Sequence, residues 1–173
     1  MAWLTKPSAT TEIERREEPY LTEGMRRTLT ETYMPRYETS LGALMPALHL
    51  VQHEYGWVPA QAMLEIAEVL NITPAEVLDT ASFYEEYWLH PKGTHVIGVC
   101  RSIACEFCDH QGIVDAVREK LGIEVGETTD DGKYTLIEME CLGSCGTAPV
   151  ALIDETLHER LTPDRIRHLL DET

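Results

Sequence analysis

The chain has 173 residues, 43% of them hydrophobic, enough for one good-sized domain or a compact domain with a helical appendage, and its composition is that of a folded protein. A formal net charge of −16 with no basic cluster excludes nucleic acid as a partner, since phosphates demand lysine and arginine. The longest apolar run, residues 41–51, contains Pro46 and His49 and is too short to cross a bilayer.

Residues 12–18, EIERREE, stand where a secretion signal needs an apolar stretch, and they are too acidic for a mitochondrial transit peptide. A cytoplasmic location is therefore expected. Residues 1–20 show no period and read as a flexible or partner-bound arm. Leu21, Met25, Leu29 and Tyr33 fall at helical spacing and predict a first helix within 21–37. Ser40 is placed to cap a second helix through Leu44, Leu48, Val51 and Tyr55, with Pro46 in an early turn and Gly56 as its stop. Pro59 opens a third helix carrying Met63, Ile66, Ala67 and Leu70. Thr73-Pro74-Ala75-Glu76 combines a capping box with a proline at the first helical position and starts a fourth. This helix leaves through Phe83, Tyr84, Tyr87 and Trp88, which read as core or as a seam between two parts of the chain rather than as a docking surface.

The pattern changes at the Pro91-Lys92-Gly93 turn. Residues 94–99 alternate and are β-branched, predicting a strand with Cys100 at its end. Ile113, Val117 and Leu121 define one face of a helix over 112–121, closed by Gly122. A polar loop over 126–132 follows, with a tight turn at Asp131-Gly132. Residues 134–140 form a second strand with Cys141 just beyond it, and 150–153 a third. Thr162-Pro163 begins a last helix carrying Ile166, Leu169 and Leu170. The expected organisation is an arm over 1–20, a helical bundle over 21–90 and a strand–helix–strand–strand–helix unit over 91–173.

All five cysteines lie between Cys100 and Cys145, in two groups that each follow a strand. Five cysteines in a reducing cytoplasm point to metal or redox chemistry rather than structural disulfides. Four readings are open. Cys100, Cys105, Cys141 and Cys145 could hold a [2Fe–2S] cluster, one pair to each iron, with Gly143 and Gly146 letting backbone N–H groups face the sulfurs. Cys100, Cys105 and Cys108 match the plant-type ferredoxin spacing, with Cys141 as fourth ligand and Cys145 idle. The same thiolates would also accept structural zinc. Finally, Cys105-Glu106-Phe107-Cys108 has the dithiol form of thioredoxin-like redox proteins, although Cys108 reads more simply as a buried free thiol. Cys108-Asp109-His110 is half of a Rieske pattern without its second half, and His110 is expected in the first turn of the following helix. There is no HExxH, GxGxxG or P-loop, and no catalytic triad can be picked out from spacing.

The stretch 121–136, LGIEVGETTDDGKYTL, followed by EMECLGSCGTAPV at 138–150, closely resembles the NuoE family, the small [2Fe–2S] subunits of respiratory complex I (NADH:quinone oxidoreductase). The likeness continues at 46–59, PALHLVQHEYGWVP, and at 81–84, ASFY, and covers roughly residues 25–170. The resemblance implies an α+β fold, with a thioredoxin-like [2Fe–2S] ferredoxin domain behind an N-terminal helical bundle. It implies Cys100, Cys105, Cys141 and Cys145 as ligands of one [2Fe–2S] cluster, leaves Cys108 without a ligand counterpart, and suggests a cis peptide at Pro149. The function it implies is single-electron exchange with the FMN of a larger NADH-binding flavoprotein subunit. FMN and NADH would be bound by that partner, the rest of the peripheral arm would complete the assembly, and the isolated chain would catalyse nothing. The complex would sit on the cytoplasmic side of the inner membrane with no direct insertion of this chain. The same subunit type recurs in NAD-linked formate dehydrogenases and NAD-reducing hydrogenases, and the remaining alternative is a zinc-stabilised or dithiol thioredoxin-like binding module.

Overall fold

The computed structural model describes residues 15–173, so most of the expected N-terminal arm, residues 1–14, lies outside the described residues. The chain divides into two compact units, one ending at Pro91 and one running Lys92–Thr173. Among the described residues no helix is long and apolar enough to cross a membrane.

The first unit is helical. Helix α1 spans Glu23–Thr28, with Thr22 as its N-cap accepting from the Met25 N–H. The chain then widens into a π-helical turn, Leu29–Tyr33, and tightens into a 3₁₀ turn, Met34–Arg36, so the single helix expected over 21–37 is three consecutive turn types. Ser40 lies inside a further 3₁₀ turn, Ser40–Ala43, and makes no cap; helix α2 starts after it and runs Leu44–Tyr55, stopping at Gly56. Helix α3 spans Ala60–Leu70 and α4 spans Pro74–Phe83. The capping box forms in full, with Thr73 Oγ1 accepting from the Glu76 N–H and Glu76 returning a carboxylate oxygen to the Thr73 N–H at 2.7 Å. Such a cap contributes about 1 kcal/mol. Leu29, Leu48, Val51, Ile66, Leu70 and Val77 meet in one fully buried core. Of the aromatic exit only Tyr87 joins that core; Phe83 is 78% exposed, against the expectation of burial.

The second unit is a four-stranded sheet with helices. Its strands are β1 (His95–Cys100), β2 (Tyr134–Met139), β3 (Ala151–Ile153) and β4 (Thr156–His158), ordered β2-β1-β3-β4. β1 and β2 are parallel, while β1–β3 and β3–β4 are antiparallel. The helices are α5 (Ile103–Phe107), α6 (His110–Leu121) and α7 (Pro163–Glu172). Ile113 and Val117 of α6, Ile166 and Leu169 of α7, and Ile97 and Leu136 of the sheet share one core. Each such side chain removed from water contributes roughly 1.5–3 kcal/mol. Strand β4 and helix α5 are additions to the strand–helix–strand–strand–helix order read from the sequence.

Candidate metal centre

The parallel register decides where the cysteines go. Cys100, the last residue of β1, stands opposite Met139, the last of β2, so the chain beyond each strand leaves from the same end of the sheet. Backbone bonds fix that end from both sides. The Cys100 N–H donates to the Val150 carbonyl at 3.1 Å, and the Arg101 N–H to the Met139 carbonyl at 2.9 Å. Arg101 also reaches Glu140 through Nε at 3.0 Å and Nη2 at 2.5 Å, tying the residue after Cys100 to the residue before Cys141.

The first loop turns at once into α5, with Ser102 in the N-cap position. Cys105 sits on the inner face of this short helix and Ile103 and Phe107 on its outer face, 76% and 85% exposed. Cys100 and Cys105 are both buried and pack with Val150, against which Leu142 and Ala148 also rest. Cys108 follows as the C-cap residue, its N–H donating to the Cys105 carbonyl at 3.0 Å. It is exposed, so the expectation of a buried free thiol is corrected: the helix is one turn long and ends before it can turn Cys108 inward. His110 does open α6, as expected, and is buried with Glu106 3.0 Å from Nδ1 and Glu138 3.1 Å from Nε2.

The second loop is built differently. Gly143 has φ +77, a left-handed conformation that glycine adopts without strain, and this turns its N–H onto the Cys141 sulfur at 3.4 Å. A 3₁₀ turn, Cys145–Thr147, then carries the fourth cysteine, and the Ala148–Pro149 bond that follows is cis. Cys141 Sγ and Cys145 Sγ lie 3.6 Å apart. Two sulfurs on one tetrahedral metal at about 2.3 Å would be separated by about 3.8 Å, so this pair is close to ligand geometry. Both residues are exposed, in contrast to the first pair.

The thiols interact as two pairs. Burial pushes the Cys100 thiol up, but N–H groups of Ser102 and Leu142, with the Cys105 and Ser102 side chains, outweigh it and leave Cys100 below the ordinary value. Cys105 is raised to about 11, first by burial and then by the neighbouring Cys100. Cys141 is lowered, first by the Gly143 N–H and then by the Ser102 hydroxyl and Cys145; Cys145 is raised by Cys141. Each pair therefore holds one lowered and one raised thiol, and the Ser102 hydroxyl serves members of both pairs. Among the described residues no group of three Cys, His, Asp or Glu side chains is arranged to hold a single metal ion. A donor set of two thiol pairs, with N–H groups aimed at sulfur, fits a centre of two irons bridged by sulfides. Cys108 is not part of it, and its Rieske-like neighbour His110 faces two carboxylates.

Sequence reasoning missed four contributors. Ser102 carries a signal, as a serine before an apolar residue, but only if a helix is assigned there. Arg101 and Glu140 are invisible as a pair without the register. Glu159 has no local signal at all: it accepts from Ser144 Oγ at 2.5 Å and Thr147 Oγ1 at 2.6 Å across 15 and 12 residues.

Known proteins resemble this chain over most of its length. Residues 30–173 match the family described as thioredoxin-like [2Fe-2S] ferredoxin. The E subunit of NADH-quinone oxidoreductase from Escherichia coli (strain K12) is 42% identical over 145 residues, covering 84% of this chain and 87% of that protein. Its namesake from Pseudomonas aeruginosa is 39% identical over the same length. Among solved structures, an NAD+-reducing [NiFe]-hydrogenase in the H2-reduced state aligns with TM-score 0.66 and 25% identity over 79% of this chain. This chain spans only 22% of that hydrogenase chain.

Proposed function

The chain belongs to the thioredoxin-like [2Fe-2S] ferredoxin family, and within it to the NuoE group of NADH-quinone oxidoreductase, and on that premise we propose that Cys100, Cys105, Cys141 and Cys145 ligate its cluster. The function is that of an electron-transfer subunit of complex I carrying one [2Fe–2S] cluster. When bound, the cluster accepts and returns one electron at a time. The observation that supports the ligand assignment is that the two loops carrying these cysteines leave the parallel β1–β2 pair from the same end, cross-tied by the Cys100 and Arg101 N–H groups.

The chain's own groups prepare the site. Cys100 and Cys141, held below the ordinary thiol value, give up their protons to a metal more readily than Cys105 and Cys145, which are held above it. Gly143 N–H and the Ser102 hydroxyl donate to sulfur, which favours added negative charge and raises the potential. Burial of Cys100 and Cys105, and a chain at −16, oppose added charge and lower it. We expect burial and the net charge to outweigh these donors and hold the potential low.

The partner we propose is the NADH- and FMN-binding flavoprotein subunit, with the whole assembly on the cytoplasmic face of the membrane. Support comes from the relatives, which are named as subunits of one NADH-oxidising complex. The hydrogenase likeness fits the same role in a different NAD-linked assembly, but it rests on 25% identity to a fifth of a longer chain, against 42% identity to nearly the whole of the Escherichia coli protein. Co-expression with each candidate flavoprotein, read by flavin-dependent reduction of the cluster on adding NADH, tests the partner. Reduction with none of them would overturn the assignment.

A further inference from the structure

We propose that Glu159 is a positioning residue for the cluster: its carboxylate clamps Ser144 and Thr147 and so holds the loop that presents the Cys145 sulfur. The inference rests on the ligand assignment above and concerns the second cysteine loop alone. Leu142 and Ala148 pin the ends of that loop against Val150, but its middle has no core to hold it. Cys141 and Cys145 are exposed, and nothing in the hydrophobic clusters includes residues 143–147. What holds it instead is polar.

Glu159 follows β4 directly, and one of its oxygens, Oε1, accepts from Ser144 Oγ at 2.5 Å and from Thr147 Oγ1 at 2.6 Å. The two hydroxyl oxygens are themselves 2.7 Å apart. These separations are those of hydroxyl-to-carboxylate hydrogen bonds, roughly twice as strong as neutral ones. Two hydroxyl protons serve the closed triangle, and both are best placed on the carboxylate. The backbone repeats the connection, because the Arg160 N–H donates to the Thr147 carbonyl at 2.8 Å and the Thr147 N–H to the Ser144 carbonyl at 3.0 Å. Cys145 lies between the two clamped residues. A swing of either would move its sulfur away from Cys141.

A carboxylate is an odd choice beside a centre that gains negative charge, in a chain already at −16. An acceptor able to take two hydroxyls on one oxygen explains it: neither a lysine nor an arginine could do so, since both only donate. Glutamine retains one such oxygen and removes the charge, which separates clamping from electrostatics.

The test uses the full chain loaded with its cluster. Release of iron to a chelator is timed, the reduced-state EPR spectrum is recorded, and thermal unfolding is followed in parallel. Glu159→Ala and Thr147→Val are expected to release iron several-fold faster and to change the EPR anisotropy, with little change in thermal midpoint. Glu159→Gln is expected to restore wild-type behaviour, and Glu159→Ala with Thr147→Val to be no worse than Glu159→Ala alone. Thr147→Val reads the same clamp if Glu159→Ala fails to fold. Wild-type release and spectra in both single variants, or release that rises only in step with lost thermal stability, would overturn the clamp. A Glu159→Gln variant as impaired as Glu159→Ala would overturn it too, by assigning the effect to charge. A wild-type chain lacking iron and sulfide would instead overturn the cluster reading beneath it.

Discussion

On the proposed ligand assignment, the two cysteine loops do the same chemical job with opposite materials. The first, holding Cys100 and Cys105, is an extension of the core: both residues are 1% exposed, and their positions follow from strand β1, the single-turn helix α5 and Val150. The second, holding Cys141 and Cys145, is exposed and stands on Gly143, two hydroxyls and Glu159. Hydrophobic packing is non-directional and pools over many contacts, whereas a polar brace depends on a few groups in one geometry. The first loop is therefore coupled to folding of the whole unit. The second shares that core only at Leu142 and Ala148, and its middle is held by the polar brace.

The largest expected effect breaks both halves alike. Cys100→Ser and Cys145→Ser should each fall from about two irons and two sulfides per chain to little or none, because serine cannot supply the thiolate the centre needs. Iron and acid-labile sulfide analysis checks this, with EPR before and after dithionite. Full iron in Cys145→Ser would contradict the ligand assignment.

The next pair of variants separates the halves. Val150→Ala empties space against Cys100 and Cys105 and should cost about 1–3 kcal/mol of stability. Gly143→Ala meets no atom within 4 Å but forces a side chain into φ +77, at a cost of about 1–2 kcal/mol confined to the second loop. Val150→Ala should therefore lower the thermal midpoint of the cluster-free chain, while Gly143→Ala should shorten cluster retention out of proportion to its effect on that midpoint. Equal behaviour of the two would dissolve the contrast.

A smaller effect follows from acid. Hydrogen bonds from Ser144 and Thr147 hold the Glu159 carboxyl below its ordinary 4.5. A depressed folded value means the extra strength of the charged acceptor is fully present above pH 4.5 and is lost as pH falls through the lower folded value, leaving the neutral oxygen that Glu159→Gln mimics. In the cluster-free chain, protection of the Thr147 N–H from hydrogen exchange should fall over that acidic window, and Glu159→Gln should remove the pH dependence. Protection unchanged with pH in the wild type would show that the charge adds nothing to the clamp.

The contrast also explains what could be read from the sequence. Elements whose signal is local were legible: the Thr73–Glu76 capping box, the apolar face of α6 with Gly122 after it, and Thr162 capping α7, all as formed. The first loop's helix was missed because it is only 5 residues long, too short to display a helical period, and its apolar Ile103 and Phe107 face outward instead of marking a core. Strand β4 is three residues long, and its hairpin is set by Asp154, whose φ is +54 and whose carboxylate accepts from the Val96 N–H at 3.0 Å, a partner 58 residues away. The second loop was read as a loop, correctly, but what stiffens it arrives from Glu159. Cysteine spacing marks the donors. It does not mark what holds them still.

The smallest expected effect is none, and it sharpens the comparison at its one ambiguous residue. Cys108 is three residues after Cys105, and in the plant-type pattern it would replace Cys145 as a ligand. The structure puts it on neither side of the contrast: exposed, at the C-cap of α5, and outside the two thiol pairs. In the loaded protein Cys108 should be the single thiol open to a maleimide, since a metal-bound thiolate is no longer free to attack. Cys108→Ser should abolish that labelling and leave iron, sulfide and EPR unchanged. Loss of the cluster in Cys108→Ser, with retention in Cys145→Ser, would take Cys145 out of the centre, and the first loop would then supply three of the four ligands, with Cys141 the fourth.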